Sequence, residues 1–175
     1  MRDSFRSMEA PRIIVVMGPA GAGKTTVGIL LAKSLGWRFL DADDFHSLGN
    51  IEKMRMGVGL SDEDRDPWLR AIRSALTSAV ARGSSVVLAC SALKEQYRDA
   101  LIPAGSVRGR IRFVYLRAPP NVMRERLAHR TGHYAGPELL ASQLETLEEP
   151  RDALWVDASC SPEEIAIEIR RGLAL

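Results

Sequence analysis

Eight residues, Gly18-Pro19-Ala20-Gly21-Ala22-Gly23-Lys24-Thr25, match G-x-x-x-x-G-K-[ST] in full, and nothing else in the chain constrains the fold as much. Such a run cradles phosphate only at a strand-to-helix junction. Its glycines let the backbone turn N–H groups inward around phosphate oxygens. The helix that follows adds the positive end of its dipole. Both flanks meet the requirement. Ile13 to Met17 is an apolar, β-branched run of the kind that forms a buried parallel strand. Gly23 to Leu35 places Val27, Leu30, Leu31 and Leu35 on one helical face, and Gly36 suits the left-handed cap. Lys24 supplies a point charge between the β- and γ-phosphates, and the Thr25 hydroxyl is placed to coordinate Mg²⁺. Gly18 to Thr25, with Thr26 behind them, are the candidate ATP contacts.

The rest of the chain alternates strand and helix patterns. Arg38 to Asp41, Val86 to Cys90, Ile111 to Leu116 and Leu154 to Asp157 read as further short strands. Helices are expected over Asp64 to Arg82, Leu93 to Ile102, Asn121 to Arg130 and Pro137 to Glu148. The first of these carries Trp68, Leu69, Ile72, Leu76, Ala79 and Val80 at helical spacing. A last helix opens on the capping box Ser161-Pro162-Glu163-Glu164. This alternation predicts an α/β fold with a parallel sheet covered on both faces and a ligand crevice at the carboxyl ends of its strands. One domain over 13–175 is expected, after a short polar, flexible lead-in over 1–12.

Composition excludes several classes. No apolar run approaches the ~18–20 residues of a membrane span, and residues 1–12 lack the apolar core of a signal peptide. Two cysteines far apart, Cys90 and Cys160, make no disulfide framework, so a cytoplasmic protein is expected. A net charge of +2, with no clustered basic face and no aromatic platform, argues against nucleic-acid binding.

Phe39-Leu40-Asp41-Ala42-Asp43-Asp44-Phe45-His46 puts three carboxylates and an imidazole where the second strand should end. Strand alternation points Asp41 and Asp43 the same way. A phosphotransferase needs one carboxylate near Mg²⁺ and one to take the proton of the attacking hydroxyl. Asp43 is assigned as base and substrate-hydroxyl contact, and Asp41 joins Thr25 around the metal; the two roles are exchangeable. Of the three, Asp44 reads as a helix cap in a solvated turn. The third strand ends Ala89-Cys90-Ser91, without the acid that switch and motor NTPases carry there.

These blocks resemble the gluconokinase family. The second-strand segment is similar to that family's, and so are Asn50 to Met54, Leu60 to Leu69, Cys90 to Asp99, Phe113 to Leu116, Arg130 to Tyr134 and Ser142 to Pro150. Asp64-Arg65-Asp66-Pro67-Trp68-Leu69 and Cys90-Ser91-Ala92-Leu93-Lys94 are the most specific. The resemblance implies a three-layer P-loop kinase fold, like that of shikimate and adenylate kinases. Its five parallel strands would be ordered 2-3-1-4-5, with a small helical lid. It implies transfer of the γ-phosphate of ATP to D-gluconate, and a homodimer. A kinase of the same fold acting on shikimate or another small acceptor is the alternative. Gluconate carries a carboxylate and a row of hydroxyls, so Arg65, Lys94 and Arg98 are candidate substrate cations, with His46 and His133 as further contacts. Arg126 and Arg130 stand four apart before Thr131 to Gly136. They read as lid arginines reaching the triphosphate, with the lid over about 126–140 and Arg130 catalytic beside Lys24 and Asp43. The chain departs from the family's usual Pro at Ser47 and Gly59, and from its usual Phe at Leu144.

Overall fold

A computed structural model describes residues 12–103, 110–129 and 137–175. Strand β1 (Ile13–Met17) is buried along its whole length. Its alternate side chains decide the architecture. Ile14 and Val16 enter one apolar cluster, and Ile13, Val15 and Met17 enter another on the opposite face. A strand with two apolar faces needs helices above and below it.

The sheet has the order β2-β3-β1-β4-β5, with β2 (Arg38–Asp41), β3 (Val86–Ala89), β4 (Ile111–Arg117) and β5 (Ala153–Asp157). All neighbours pair in parallel; Ile13 registers with both Val86 and Ile111. Helices α1 (Lys24–Leu35), α5 (Pro120–Ala128), α6 (Pro137–Thr146) and α7 (Pro162–Leu173) cover one face through Val27, Leu31, Leu127, Leu140, Ile165 and Ile169. Helices α3 (Asp62–Ala81) and α4 (Glu95–Ala100) cover the other through Trp68, Leu69, Ile72, Leu76, Tyr97 and Leu101. Each large side chain so buried contributes roughly 1.5–3 kcal/mol of transfer free energy. Among the described residues no helix is long and apolar enough to cross a membrane.

The chain after β2 differs from the sequence expectation. Asp41 caps a 3₁₀ turn, Ala42–Phe45, by accepting from the Asp43 amide at 3.0 Å. Helix α2 (Leu48–Arg55) follows, capped by the Ser47 hydroxyl, which accepts from the Asn50 amide at 3.2 Å. Periodicity did not reveal α2, because it is docked by polar bonds and not by an apolar stripe. Asn50 Nδ2 donates to the Asp64 carbonyl at 2.9 Å, and Lys53 Nζ lies 2.7 Å from the Asp64 carboxylate. Helix α3 starts at Asp62, two residues earlier than its apolar spacing indicates. Ser61 and Asp64 form a reciprocal capping box that extends it. Helix α4 starts only at Glu95, with Lys94 as its cap residue.

The loop between β1 and α1 takes the shape its glycines permit. Gly18, Gly21 and Gly23 have φ of 147°, 80° and 95°. Gly21 also sits where nothing larger fits. A β-carbon there would lie 2.5 Å from the Met123 carbonyl oxygen and 3.1 Å from Leu127 Cγ, so α5 is packed hard against the loop. Gly21→Ala is therefore expected to cost about 2 kcal/mol or more, through left-handed strain and overpacking. Urea denaturation of the variant beside the parent protein measures it; a loss under about 0.5 kcal/mol, the range of neutral surface changes, contradicts this packing.

Candidate phosphoryl-transfer site

A cleft of about 440 Å³ opens at the carboxyl ends of β1, β2 and β3. The phosphate loop forms its floor through Ala20, Gly21, Gly23, Lys24 and Thr25. Asp41, Asp43, Asp44 and His46 form one wall. Ile51, Met54, Leu60, Arg65 and Trp68 close the outer side, and Leu139 and Gln143 of α6 form the opposite rim. A more open depression of about 590 Å³ lies past β5, against Arg117, Trp155 and Asp157. Chemistry favours the cleft, where phosphate-binding amides, a lysine, a hydroxyl and carboxylates meet.

Thr25 Oγ1 donates to Asp41 Oδ2 at 2.8 Å, and the other oxygen of Asp41 accepts the Asp43 amide. Asp41 is thus oriented at both oxygens. The Asp43 carboxylate has no hydrogen-bond partner among the described residues. The two aspartates share the cleft, though not by strand alternation: β2 stops at Asp41, and the 3₁₀ turn presents Asp43. Lys24 Nζ donates to the Pro19 carbonyl at 2.9 Å. Gly18 and Ala22 are buried behind the loop, and Thr26 is exposed on α1 outside the cleft lining.

The His46 ring stacks on Trp68, with centroids 4.5 Å apart and planes 6° from parallel. Trp68 is anchored in turn by Nε1, which donates to the Ala42 carbonyl at 2.7 Å. Burial lowers the His46 pKa, with the Arg65 charge adding to that shift and Asp43 opposing it. The imidazole is therefore neutral at pH 7, and its Nδ1 is buried without a partner among the described residues. Arg65 points its guanidinium at the Leu60 carbonyl and the Tyr97 hydroxyl, on the cleft wall. Cys90, at the end of β3, borders the cleft as an inert thiol, its pKa pushed up to about 12 by burial.

Two expected substrate cations lie elsewhere. Lys94 precedes α4 and is not on one helical face with Arg98. Its Nζ lies 3.1 Å from Asp62, which also accepts from Tyr97 and Gln96, and Lys94 does not line the cleft. Arg98 is buried. Its Nη1 donates to the carbonyls of Ala92 at 3.1 Å, Leu93 at 3.2 Å and Glu148 at 3.0 Å. That guanidinium ties the end of β3 to the chain before β5 and is not offered to a ligand in the cleft. Arg126 stands beside the loop: a β-carbon on Gly23 would lie 4.0 Å from its Nη1. Arg130, His133 and the rest of the expected lid segment, 130–136, fall outside the described residues. Sequence reasoning missed Ile51, Met54, Leu139 and Gln143; the cap residue Ser47 was the available signal for the first two.

Comparison with known proteins bears on this site. A family model described as an AAA domain matches residues 13–154. A gluconokinase of Arabidopsis thaliana is 42% identical over 88% of this chain and 88% of its own. The crystal structure of a gluconokinase from Sinorhizobium meliloti is 44% identical, superposes with a TM-score of 0.82, and covers 94% of this chain and 93% of that one. Shikimate kinase from Aquifex aeolicus, at 20% identity and a TM-score of 0.59 over 93% of this chain and 96% of that one, shares the fold.

The placement of Arg98 can be tested. Arg98→Met removes a donor from three carbonyls, of which Leu93 keeps the Glu148 amide. It should lower stability by about 2 kcal/mol or more while leaving both Michaelis constants of the folded enzyme within about twofold. Thermal unfolding and steady-state kinetics decide; a stable variant with a strongly raised acceptor KM returns Arg98 to the substrate site.

Proposed function

This chain belongs to the gluconokinase family, and from that premise we propose that it transfers the γ-phosphate of ATP to a hydroxyl of D-gluconate, giving ADP and 6-phospho-D-gluconate. The observation that carries the proposal is the 2.8 Å contact between Thr25 and Asp41, which brings the phosphate loop and the second-strand carboxylates into one cleft.

The geometry supports the following roles. Loop amides and Lys24 hold the phosphates; the ammonium moves from the Pro19 carbonyl to phosphate oxygens when the nucleotide enters. The unpartnered carboxylate of Asp43 takes the proton of the acceptor hydroxyl. The hydroxyl oxygen forms the new bond to the γ-phosphorus, the bond to the bridging oxygen breaks, and ADP leaves. Arg65 is the cation on the cleft wall for the gluconate carboxylate, and neutral His46 exchanges hydrogen bonds with hydroxyls. Lys94 reaches the acceptor only if it leaves Asp62. Thr25 and Asp41 fit Mg²⁺: oxygens at adjacent corners of its octahedron lie ~2.9 Å apart, and Mg²⁺ is held by few side chains plus substrate phosphates. Bound there, the ion neutralises charge on the β- and γ-phosphates. Arg126 and Arg130 serve a lid over about 126–140 that excludes water, with His133 within it. A cytoplasmic homodimer, which the family resemblance implies, belongs to the same proposal.

A coupled ADP-release assay over a panel of sugar acids, sugars, shikimate and nucleosides tests the acceptor. Gluconate should stimulate ADP release most; stimulation by shikimate and not gluconate would overturn the assignment. In the same assay Asp43→Asn should lower kcat by about 10²-fold or more, and near-normal turnover removes Asp43 from the mechanism.

A further inference from the structure

The crest of the phosphate loop carries a contact that the roles above leave unused. The peptide group joining Pro19 to Ala20 is held at both ends. Its oxygen accepts from Lys24 Nζ at 2.9 Å and from the Ala22 amide at 3.2 Å. Its N–H donates to Oε1 of Gln143 at 2.6 Å. A backbone N–H is only a donor, so the carboxamide oxygen must face the loop. The amide nitrogen, with two donor hydrogens, is the end left over. It has no partner among the described residues. Gln143 lines the cleft together with Lys24 and Thr25.

Position selects the phosphate. The lysine of such a loop serves the β- and γ-phosphates. The two ends of a trans peptide point in opposite directions, so Gln143 meets the loop crest from the side opposite Lys24, and its amide nitrogen shares with the Lys24 ammonium the cleft that would receive the nucleotide phosphates. Gln143 is also neutral, so it adds a donor there without an ion pair to Asp41 or Asp43. Resting on the ATP-kinase reading of the cleft, we propose that Gln143 is a specificity-determining residue whose Nε2 donates to the terminal phosphate of ATP, making the site prefer ATP over ADP.

Nucleotide titration of the full chain by calorimetry tests this, using ADP and a non-hydrolysable β,γ-imido analogue of ATP in the presence of Mg²⁺. Gln143→Leu and Gln143→Met each remove both ends of the contact without adding a charge beside the phosphates. Both variants should bind the ATP analogue about tenfold or more weakly while binding ADP within about twofold of the parent, the loss expected for one hydrogen bond to a charged group. Parallel loss of both nucleotides would show that Gln143 only braces the loop, and unchanged binding of both would show no role; either overturns the proposal. If Gln143→Leu does not fold, as read by its thermal transition, Gln143→Met, neutral like the parent side chain, decides by the same ratio. A parent protein that binds neither nucleotide would instead refute the kinase reading.

Discussion

The 2.8 Å bond from the Thr25 hydroxyl to the Asp41 carboxylate is the contact on which the site depends. Thr25 belongs to the first turn of α1, and Asp41 ends β2, which is separated from β1 by β3. The two meet because the sheet is parallel and all its strands end on the same side. A crossover that carried β2 to the other flank would leave the phosphate loop without carboxylates. The apolar faces of β1 thus act on function through topology: burying both of them needs two helical layers, and the layers set the strand order that aligns the ends.

Around that contact the cleft divides its charges. Asp41 is oriented by two hydrogen bonds, whereas the Asp43 carboxylate has none among the described residues. A carboxylate already satisfied is a good metal-side ligand, and an unsatisfied one is a good proton acceptor. The same economy explains the cations. Arg98 meets three carbonyls and Lys94 meets Asp62, so among the expected substrate cations of the described residues only Arg65 lines the cleft. The polar docking of α2 onto Asp64 brings Ile51 and Met54 over this wall without an apolar seam of its own. Ser47 serves as the cap of that helix.

Much of this was legible in the sequence, for identifiable reasons. Continuous β-branched runs gave the buried strands, glycine spacing gave the loop, and the resemblance gave the strand order. Local polar chemistry was harder to read. Helix α2 has Leu48 and Met56 exposed at its ends, so no periodicity marked it. Lys94 and Arg98 both fall within the helix expected over Leu93 to Ile102, but α4 begins between them. Gln143 lies in a segment similar to the family's, but that similarity gives it no role; only the fold brings α6 to the Ala20 amide, 123 residues away in sequence. Contacts between distant segments of polar chain are what pattern reading cannot supply.

The central claim is that this cleft joins the terminal phosphate of ATP to an acceptor hydroxyl, not to water. Phosphorus NMR of a reaction containing the purified protein, ATP, Mg²⁺ and D-gluconate follows the fate of that phosphate directly. The account predicts a phosphomonoester resonance growing in step with ADP, split by the two protons of a terminal CH₂ group, with little inorganic phosphate. Inorganic phosphate released at the same rate with and without gluconate would contradict it.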